Sequence, residues 1–312
     1  MKVLVTCPPM LRMIDTFRPI FERHDVELTA ANVVQTLSVA ELKALVPFHD
    51  GWIIGDDPAN REVFTTGKAG RLKAAVKWGI GVDNVDFAAC RDLGIPITNT
   101  PNMFGGEVAD IAVGYVIALA RETFDIDRGV RAGDWPKPRG ISLAGKTVAL
   151  IGFGDIGKNT AKRLLAADMK IIAYDPFAKP VPELAEVEMA PWPLRIEEAD
   201  FIVINCALTA SSRYMLNADV LARAKRGVRV VNVGRGPVIE EVALCEALKA
   251  GKVYSAALDV FEEEPLPMES YLRMHPRCIF GSHNASNTAD AVVRTSEIAI
   301  SKVLGFLGFQ EK

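Results

Sequence analysis

Short apolar, β-branched runs alternate along the chain with longer segments whose apolar residues recur at helical spacing. This alternation is typical of βαβ units and predicts an α/β fold with parallel sheets. The predicted strands are Lys2–Thr6, Trp52–Ile54, Leu72–Val76, Ile95–Thr98, Lys146–Ile151, Lys170–Tyr174, Phe201–Asn205, Val228–Val233, Val253–Asp259 and Ile279–Phe280.

Three segments carry clear helical patterns. Ser38 and Glu41 form a capping box ahead of a helix that runs to Leu45. The run Glu107–Ala120 is apolar almost all round, which predicts a buried or interface helix. It is too short for a membrane span and has charged residues at its ends. A last helix is predicted over Asn287–Phe306.

The helical and strand patterns suggest two doubly wound parallel-sheet domains in a chain of 312 residues. Thr100-Pro101 and the segment Gly281–Asn284 are the natural crossing points. We therefore expect a discontinuous, flavodoxin-like outer domain of residues 1–99 and 284–312. An inserted domain would occupy residues 100–283.

Composition excludes several classes of protein. With 49% hydrophobic and 24% charged residues, the chain is not predominantly disordered. A formal net charge of −3 argues against nucleic acid or an anionic membrane as partner. The five cysteines are scattered and odd in number, so they suggest neither a disulfide framework nor a zinc site. We expect no bound metal and a reducing, cytoplasmic location.

Gly152, Gly154 and Gly157 form a G-x-G-x-x-G pattern between a predicted strand and a predicted helix. In a dinucleotide-binding (Rossmann) domain, these glycines permit a tight turn, close approach of the pyrophosphate and close helix packing. Asp175 ends the next strand, 175 − 152 = 23 residues after the first glycine, near the expected spacing for a ribose-binding carboxylate. Such a carboxylate would repel a 2′-phosphate, so NAD is favoured over NADP.

Three further segments suggest chemistry at strand ends. Arg235 follows an apolar strand between two glycines, where a side chain would project into the ligand crevice. Glu264 is followed by a proline in an acidic loop. His283 lies between a short strand and a helix. On sequence alone, a structural histidine is as good an interpretation of His283 as a catalytic one.

Only three other histidines are available to carry acid–base chemistry. His24 and His49 are expected to be exposed in polar surroundings, and His275 lies in a proline-flanked loop.

Together the motifs resemble those of the D-isomer-specific 2-hydroxyacid dehydrogenases, most closely the 3-phosphoglycerate dehydrogenase branch. The resemblance rests on the glycine pattern with Asp175 and on VNVGRG, ALDVFEEEP, SHNASNT, KWGIGVDNVD and GIPITNTPN. These motifs cover nearly the whole chain, in order. The resemblance implies an NAD-dependent enzyme, usually a homodimer, that interconverts a small 2-hydroxy acid and its 2-oxo acid in a cleft between domains.

The resemblance also implies roles for individual residues. His283 would be the general acid and base, Glu264 would hold its imidazole and favour the imidazolium, and Arg235 would bind the substrate carboxylate and carbonyl oxygen. Backbone N–H groups at Gly79, Ile80 and Gly81 would form a second carboxylate anchor. The implied cofactor-binding residues are Gly152, Gly154, Asp155, Ile156, Gly157, Asp175, Ala207, Val233, Gly234 and Asp259.

The chain departs from the phosphoglycerate branch at Asp56 and Asp57. Phosphoglycerate-type enzymes resemble one another in an Arg-Ser at this strand end, which binds the distal phosphate. Two carboxylates there would repel a phosphate dianion, although Lys77 leaves some affinity possible. An NAD(H)-sensing, corepressor-like protein remains an alternative. Formate- or phosphite-type oxidation is a third possibility, disfavoured because formate enzymes carry Gln where Glu264 stands.

Overall fold

The computed structural model describes residues 1–309. Its contacts divide the chain into two compact units. Unit 1 comprises Met1–Met103 and the returning segment that starts at Asn287, and unit 2 comprises Phe104–Ser286.

Unit 1 contains one five-stranded parallel sheet in the order β2-β1-β3-β4-β5. Its strands are β1 (Lys2–Val5), β2 (Glu27–Ala30), β3 (Gly51–Ile54), β4 (Ala74–Lys77) and β5 (Ile97–Asn99). Its helices are α1 (Pro8–Leu11), α2 (Ile14–Glu22), α3 (Val39–Leu45), α4 (Arg61–Ala69), α5 (Phe87–Leu93) and, after unit 2, α12 (Ala289–Phe306). β3 and β4 are buried along their whole length, as expected of strands covered by helices on both faces.

Unit 2 contains a seven-stranded parallel sheet in the order β12-β11-β10-β9-β6-β7-β8. Its strands are β6 (Thr147–Ile151), β7 (Lys170–Tyr174), β8 (Glu188–Met189), β9 (Phe201–Ile204), β10 (Val228–Asn232), β11 (Val253–Leu258) and β12 (Cys278–Phe280). Its helices are α6 (Gly105–Arg121), α7 (Thr123–Arg131), α8 (Asp155–Leu165), α9 (Ala218–Arg223), α10 (Glu241–Lys249) and α11 (Tyr271–Met274).

These elements confirm the predicted fold class of two parallel-sheet α/β domains. The capping box of Ser38 and Glu41 is present in full at the start of α3. The predicted strands are found with boundaries displaced by up to two residues. Sequence analysis did not predict β2, because its four residues are exposed or half-buried and give no apolar run. It also missed the two-residue strand β8.

Candidate active site

The carboxyl ends of β10, β11 and β12 lie level at one edge of the unit 2 sheet. Leu258 of β11 pairs with Asn232 of β10 on one side and with Phe280 of β12 on the other. Ligands of open α/β sheets bind at this edge. Arg235, Asp259 and His283 each follow one of these strands within three residues. Parallel pairing therefore brings together segments that are far apart in the sequence.

His283 is held by two neighbours in unit 2. Its Nδ1 lies 2.7 Å from Oε2 of Glu264. Its backbone N–H donates to the carbonyl of Asp259 at 2.7 Å. The other oxygen of Glu264 accepts from the N–H of Phe261 at 3.0 Å. These contacts orient both the imidazole and its carboxylate, and each side chain retains about a quarter of its exposure (25% and 26%).

Asp259 supports the turn that carries His283. Its buried carboxylate accepts from the N–H groups of Asn284 at 3.2 Å and Ala285 at 2.9 Å. A Cβ on Gly281 would lie 1.9 Å from Oδ1 of Asp259, so only glycine fits beside this carboxylate. Asp259 is thus engaged by the protein backbone, a bonding pattern that the sequence did not predict.

Tyr115 of α6 also lies beside Gly281, and sequence analysis did not single it out. Its hydroxyl would lie 2.7 Å from a Cβ on Gly281. Burial, with a further contribution from the Asp259 carboxylate, raises the pKa of Tyr115 to about 12. The phenol therefore stays protonated at neutral pH. The sequence could have indicated Tyr115, because a lone hydroxyl in an almost uniformly apolar helix needs a polar partner.

The turn that carries Arg235 is fixed by Asn232, which sequence reasoning also missed. The Asn232 amide donates to the carbonyl of Arg235 at 3.0 Å and accepts from the N–H of Gly234 at 3.0 Å. A Cβ on Gly236 would lie 1.8 Å from the carbonyl of Phe261. The Arg235 turn therefore packs directly against Phe261, whose N–H is bound by Glu264. A series of contacts thus joins the three predicted catalytic residues at one sheet edge: the Arg235 turn packs against Phe261, Phe261 binds Glu264, and Glu264 binds His283.

The other histidines are less suited to this chemistry. His49 was expected to be exposed, and this expectation is wrong: the residue is 6% exposed and its Nδ1 lies 2.9 Å from the carbonyl of Leu45. His24 is half-buried rather than exposed. Burial, and secondarily the charge of Arg277, lowers the pKa of His275.

The glycine-rich turn after β6 has the shape that a dinucleotide pyrophosphate requires. Gly152 has φ of 91°, and a Cβ there would lie 2.7 Å from the N atom of Cys206. A Cβ on Gly157 would lie 2.1 Å from the carbonyl oxygen of Gly152. At Gly154, which precedes α8, a Cβ would meet open space. The backbone is thus closely packed on the protein side and open at the N-terminus of α8.

Asp175 anchors this turn. Its Oδ2 accepts from the N–H of Phe153 at 2.9 Å, and its Oδ1 accepts from Phe177 at 2.9 Å and Ala178 at 3.0 Å. Asp175 also lines a cavity of about 820 Å³. Other residues lining this cavity are Gly152, Gly154, Trp192, Cys206 and Ala207. An apolar cavity beside a carboxylate and an open helix N-terminus fits the adenosine half of NAD.

The remaining predicted cofactor residues are placed as follows. Asp155 and Ile156 open α8. Both carboxylate oxygens of Asp155 lie 2.4 Å from the position of a Cβ on Gly105, so this side chain packs against the start of α6. Val233 donates its N–H to the carbonyl of Ile204 at 3.1 Å. The backbone N–H groups of Val233 and Gly234 therefore both donate hydrogen bonds to residues of the sheet edge itself, Ile204 and Asn232.

In unit 1, the predicted anchor Gly79–Gly81 forms a turn after β4. The N–H of Gly79 donates to Oγ1 of Thr100 at 2.8 Å, and φ of Gly79 is 110°. The carbonyl of Ile80 accepts from the side chain of Asn99 at 3.2 Å. Of the three predicted N–H groups, that of Gly79 is therefore engaged within unit 1.

The interpretation of Asp56 and Asp57 as a pair of repelling carboxylates needs correction. Asp57 is fully buried and accepts from the Thr6 hydroxyl, from the N–H of Leu37 at 2.8 Å and from the N–H of Gly55 at 3.2 Å. Burial raises the pKa of Asp57, against the opposing effect of these hydrogen bonds. Asp57 is a structural residue, and of these two aspartates it is Asp56 that has an exposed carboxylate.

Within residues 1–309, no group of three or more His, Cys, Asp or Glu side chains could hold a metal ion. Over the same residues, no helix has the length and apolar character needed to cross a membrane.

Comparison with known proteins shows the family to which the chain is related. Residues 113–285 match the family model described as the D-isomer specific 2-hydroxyacid dehydrogenase NAD-binding domain. The chain is 36% identical over 294 residues to a hydroxypyruvate reductase of Thermotoga maritima, covering 93% of this chain and 94% of that protein. It is also 36% identical over 275 residues to the chloroplastic D-3-phosphoglycerate dehydrogenase 3 of Arabidopsis thaliana. That match covers 87% of this chain but spans about half (47%) of the plant protein's length.

A solved structure gives the same result for the fold. The crystal structure of a protein from Thermus thermophilus has a TM-score of 0.87 and 30% sequence identity. The match covers 98% of this chain and 97% of that one. The chain belongs to the D-isomer specific 2-hydroxyacid dehydrogenase family, and its cofactor is NAD.

Proposed function

We propose that this protein interconverts a small D-2-hydroxy acid and its 2-oxo acid, with His283 as general acid and base. The observation that carries the proposal is the 2.7 Å contact between Nδ1 of His283 and Glu264. A carboxylate on one ring nitrogen fixes the ring orientation and stabilises the imidazolium. The proton exchanged with the substrate oxygen is assigned to the other nitrogen, Nε2.

When bound, NAD supplies the hydride acceptor for oxidation and NADH the hydride donor for reduction. The chain's own residues manage the proton and the developing charge. In the direction of reduction, His283 gives a proton to the carbonyl oxygen of the 2-oxo acid. In the direction of oxidation, it takes the hydroxyl proton. Glu264 keeps the imidazole in place through both steps.

Arg235 is proposed to bind the substrate carboxylate and the reacting oxygen. Guanidinium matches a carboxylate in geometry and charge, and it stabilises negative charge on the oxygen during hydride transfer. The Asn232 and Gly236 contacts support this assignment because they fix the backbone on both sides of Arg235. The N–H groups of Ile80 and Gly81 are proposed as a second carboxylate anchor. The residues proposed to contact NAD, in addition to the glycine turn and Asp175, are Asp155, Ile156, Ala207, Val233, Gly234 and Asp259.

A homodimer is proposed as the assembly. Unit 2 exposes apolar side chains on α6 and α7, among them Ile117 (43% exposed) and Phe124 (46% exposed). A second copy would remove this apolar surface from water. Light scattering at micromolar concentration should give twice the chain mass of 33.9 kDa.

The function is tested by following NADH oxidation with a panel of 2-oxo acids, and then in a His283→Ala variant. We expect turnover of at least one acid, and a fall in kcat of roughly 10²–10⁴-fold in the variant. NADH affinity, measured by fluorescence, should stay within about twofold because the cofactor contacts are elsewhere.

A His275→Ala variant is the matched control, since it removes another histidine of unit 2 that has no assigned role in catalysis. Its kcat should equal that of the wild type. Full turnover in His283→Ala would disprove the assignment of the general acid. Tight NADH binding without turnover of any acid would instead favour an NAD(H)-sensing protein.

A further inference from the structure

His283 has a backbone conformation that residues with a side chain disfavour. Its φ is 54°, in the left-handed region, where a Cβ crowds the following carbonyl oxygen. Such conformations persist only where the surrounding contacts impose them, and they concentrate at functional sites. The contacts that impose this turn therefore also set the position of the His283 imidazole.

Asp259 makes these contacts with three consecutive backbone N–H groups. Its carbonyl accepts from His283 at 2.7 Å, and its carboxylate accepts from Asn284 at 3.2 Å and from Ala285 at 2.9 Å. Asp259 is itself held in place, because its own N–H donates to the carbonyl of Asn232 at 2.9 Å and only 3% of the residue is exposed. Consecutive N–H groups of this kind form a site for negative charge. The Asp259 carboxylate thus determines the geometry of the turn.

Tyr115 brings a phenol hydroxyl to the same carboxylate. It lies on α6, which packs against β10 and β11 of unit 2. A Cβ on Gly281 would lie 1.9 Å from Oδ1 of Asp259 and 2.7 Å from the Tyr115 hydroxyl, so both oxygens face one backbone position. Burial, and then the charge of Asp259, raises the pKa of Tyr115, so the phenol keeps its proton and can donate a hydrogen bond. A carboxylate accepts up to about four hydrogen bonds, which leaves room for one from the phenol.

We propose that Tyr115 is a positioning residue: acting through Asp259, its hydroxyl holds the turn that presents His283 to the substrate. The inference rests on the proposed function, in which His283 exchanges the proton. If the hydroxyl is removed, the carboxylate loses a polar neighbour, and the N–H groups bound to it follow its movement. Glu264 is held separately, by the N–H of Phe261 at 3.0 Å. The imidazole should therefore shift relative to Glu264.

Tyr115→Phe removes the hydroxyl and keeps the ring beside Gly281. With a 2-oxo acid that the wild type reduces, we expect kcat to fall roughly tenfold, less than the 10²-fold that a displacement of about 1 Å can cost. The KM of the acid and the affinity for NADH should stay within about twofold, because only the transition state needs the exact position of the imidazole. Retained NADH affinity also shows that the variant is folded.

The imidazole itself gives a second readout, which does not depend on turnover. In protein labelled with 15N-histidine, the ring signals of the four histidines can be compared by NMR. The signals of His283 are identified by their loss in His283→Ala. We expect the Nδ1 signal of His283 to shift in Tyr115→Phe, because its hydrogen bond to Glu264 changes. The signals of the other three histidines should stay in place.

A double variant tests whether the effect passes through Asp259. Asp259→Asn alone should lower kcat more than Tyr115→Phe does, since it weakens the contacts of the turn directly. Adding Tyr115→Phe to Asp259→Asn should change kcat by less than about a further twofold, because residues that act through one path are not additive. The His283 ring signal serves as the readout if turnover is too slow to measure.

Tyr254→Phe is the matched control. Tyr254 is another tyrosine of unit 2 whose hydroxyl lies beside a carboxylate, donating to Glu122 at 2.7 Å. It lies near the start of β11, at the end of the strand opposite to Asp259. The same substitution there should leave both kcat and the His283 signal unchanged.

The outcomes separate this inference from the proposed function. Unchanged kcat or an unmoved His283 signal in Tyr115→Phe would overturn the inference and leave the reaction intact. Equal losses of kcat and NADH affinity would also overturn it, because they would assign the hydroxyl to cofactor binding. A full effect of Tyr115→Phe in the Asp259→Asn background would overturn the path through Asp259. A wild type that reduces no 2-oxo acid would instead overturn the reaction.

Discussion

The two units stabilise the amino ends of their central strands in the same way. In unit 1, Asp50 precedes β3 and accepts from the N–H of Lys2 at 2.9 Å and from Lys73 at 3.0 Å. In unit 2, Asp200 precedes β9 and accepts from the N–H of Thr147 at 3.0 Å and from Lys225 at 2.7 Å. In each case an aspartate binds the first residue of the neighbouring strand and a lysine side chain.

The carboxyl edges of the same two sheets are built differently. In unit 2, several glycine positions exclude any side chain, among them Gly152, Gly236 and Gly281, where a Cβ would lie within 2.7 Å of another residue. In unit 1, the edge is built by polar side chains: Thr6 contacts Asp57, and Asp56 contacts Lys77. The unit 2 edge thus relies mainly on close packing around glycines, whereas the unit 1 edge, apart from the close approach at Gly55, relies on hydrogen bonds and charge. A functional edge built from backbone should tolerate little added volume, whereas one built from side chains should respond to polarity.

The largest effect is expected from Gly236→Ala in unit 2. The added methyl group would lie 1.8 Å from the carbonyl of Phe261, so the Arg235 turn must move. A displacement of about 1 Å in a catalytic group can lower the rate on the order of 10²-fold. Overpacking of this kind also costs about 1–3 kcal/mol of stability. Steady-state kinetics and urea unfolding measure the two effects.

Gly305→Ala is the control for this change. Gly305 lies on α12, and a Cβ there would meet no atom within 4 Å. Alanine should stabilise this helix by about 0.5–1 kcal/mol and leave kcat/KM unchanged. If Gly236→Ala behaves like Gly305→Ala, the unit 2 edge does not depend on close backbone packing.

A smaller effect is expected from Thr6→Val in unit 1, which keeps the shape and removes the hydroxyl. Oγ1 of Thr6 accepts from Nε1 of Trp52 at 3.0 Å and from the N–H of Gly55 at 3.3 Å, and it donates to Asp57. A buried polar group left without its partner costs about 1–3 kcal/mol. The free energy of unfolding should fall by this amount, with NADH affinity unchanged because NAD binds unit 2.

Thr66→Val is the matched control for this loss. Its hydroxyl bonds within α4 to the carbonyl of Glu62, in contact with solvent. The same substitution there should change stability by less than about 0.5 kcal/mol. Equal effects of the two variants would show that polarity does not hold the unit 1 edge together.

This difference between the two sheet edges also explains which of their features could be predicted from the sequence alone. At the unit 2 edge, the glycines at fixed spacing in the sequence indicated where backbone must approach backbone, and the structure has close approaches at Gly152 and Gly157. The Asn232 and Tyr115 contacts were missed, since a single amide or phenol has no distinctive spacing. In unit 1, Asp56 and Asp57 are neighbours of identical chemistry. Only their opposite burial shows that one is structural and the other accessible, and burial depends on tertiary packing.

The last effect concerns the feature that the units share, and its size depends on pH. Burial of Asp50 opposes its ionisation, but hydrogen bonds from Lys2, Lys73 and Arg71 outweigh it and lower its pKa to about 2. A carboxylate with a lowered pKa stabilises the fold above its unfolded pKa. That stability is lost as the pH falls through the folded pKa. The shift corresponds to about 2 kcal/mol at pH 7, lost between about pH 4 and pH 2.

An Asp50→Asn variant should therefore be less stable than the wild type at neutral pH, and the difference should narrow as the pH falls towards 3. Asp200→Asn is the parallel change in unit 2. Its pKa is also lowered, because the hydrogen bonds from Lys225 and Thr147 outweigh burial. Asp200 pairs with Lys225 and is 14% exposed, whereas Asp50 pairs with Arg71 and Lys73 and is 2% exposed. We therefore expect Asp200→Asn to lower stability less than Asp50→Asn does. Hydrogen exchange of β1 and β3, compared with β6 and β9, would measure each unit separately. Equal, pH-independent losses in both variants would mean that backbone geometry, rather than charge, makes this feature stabilising.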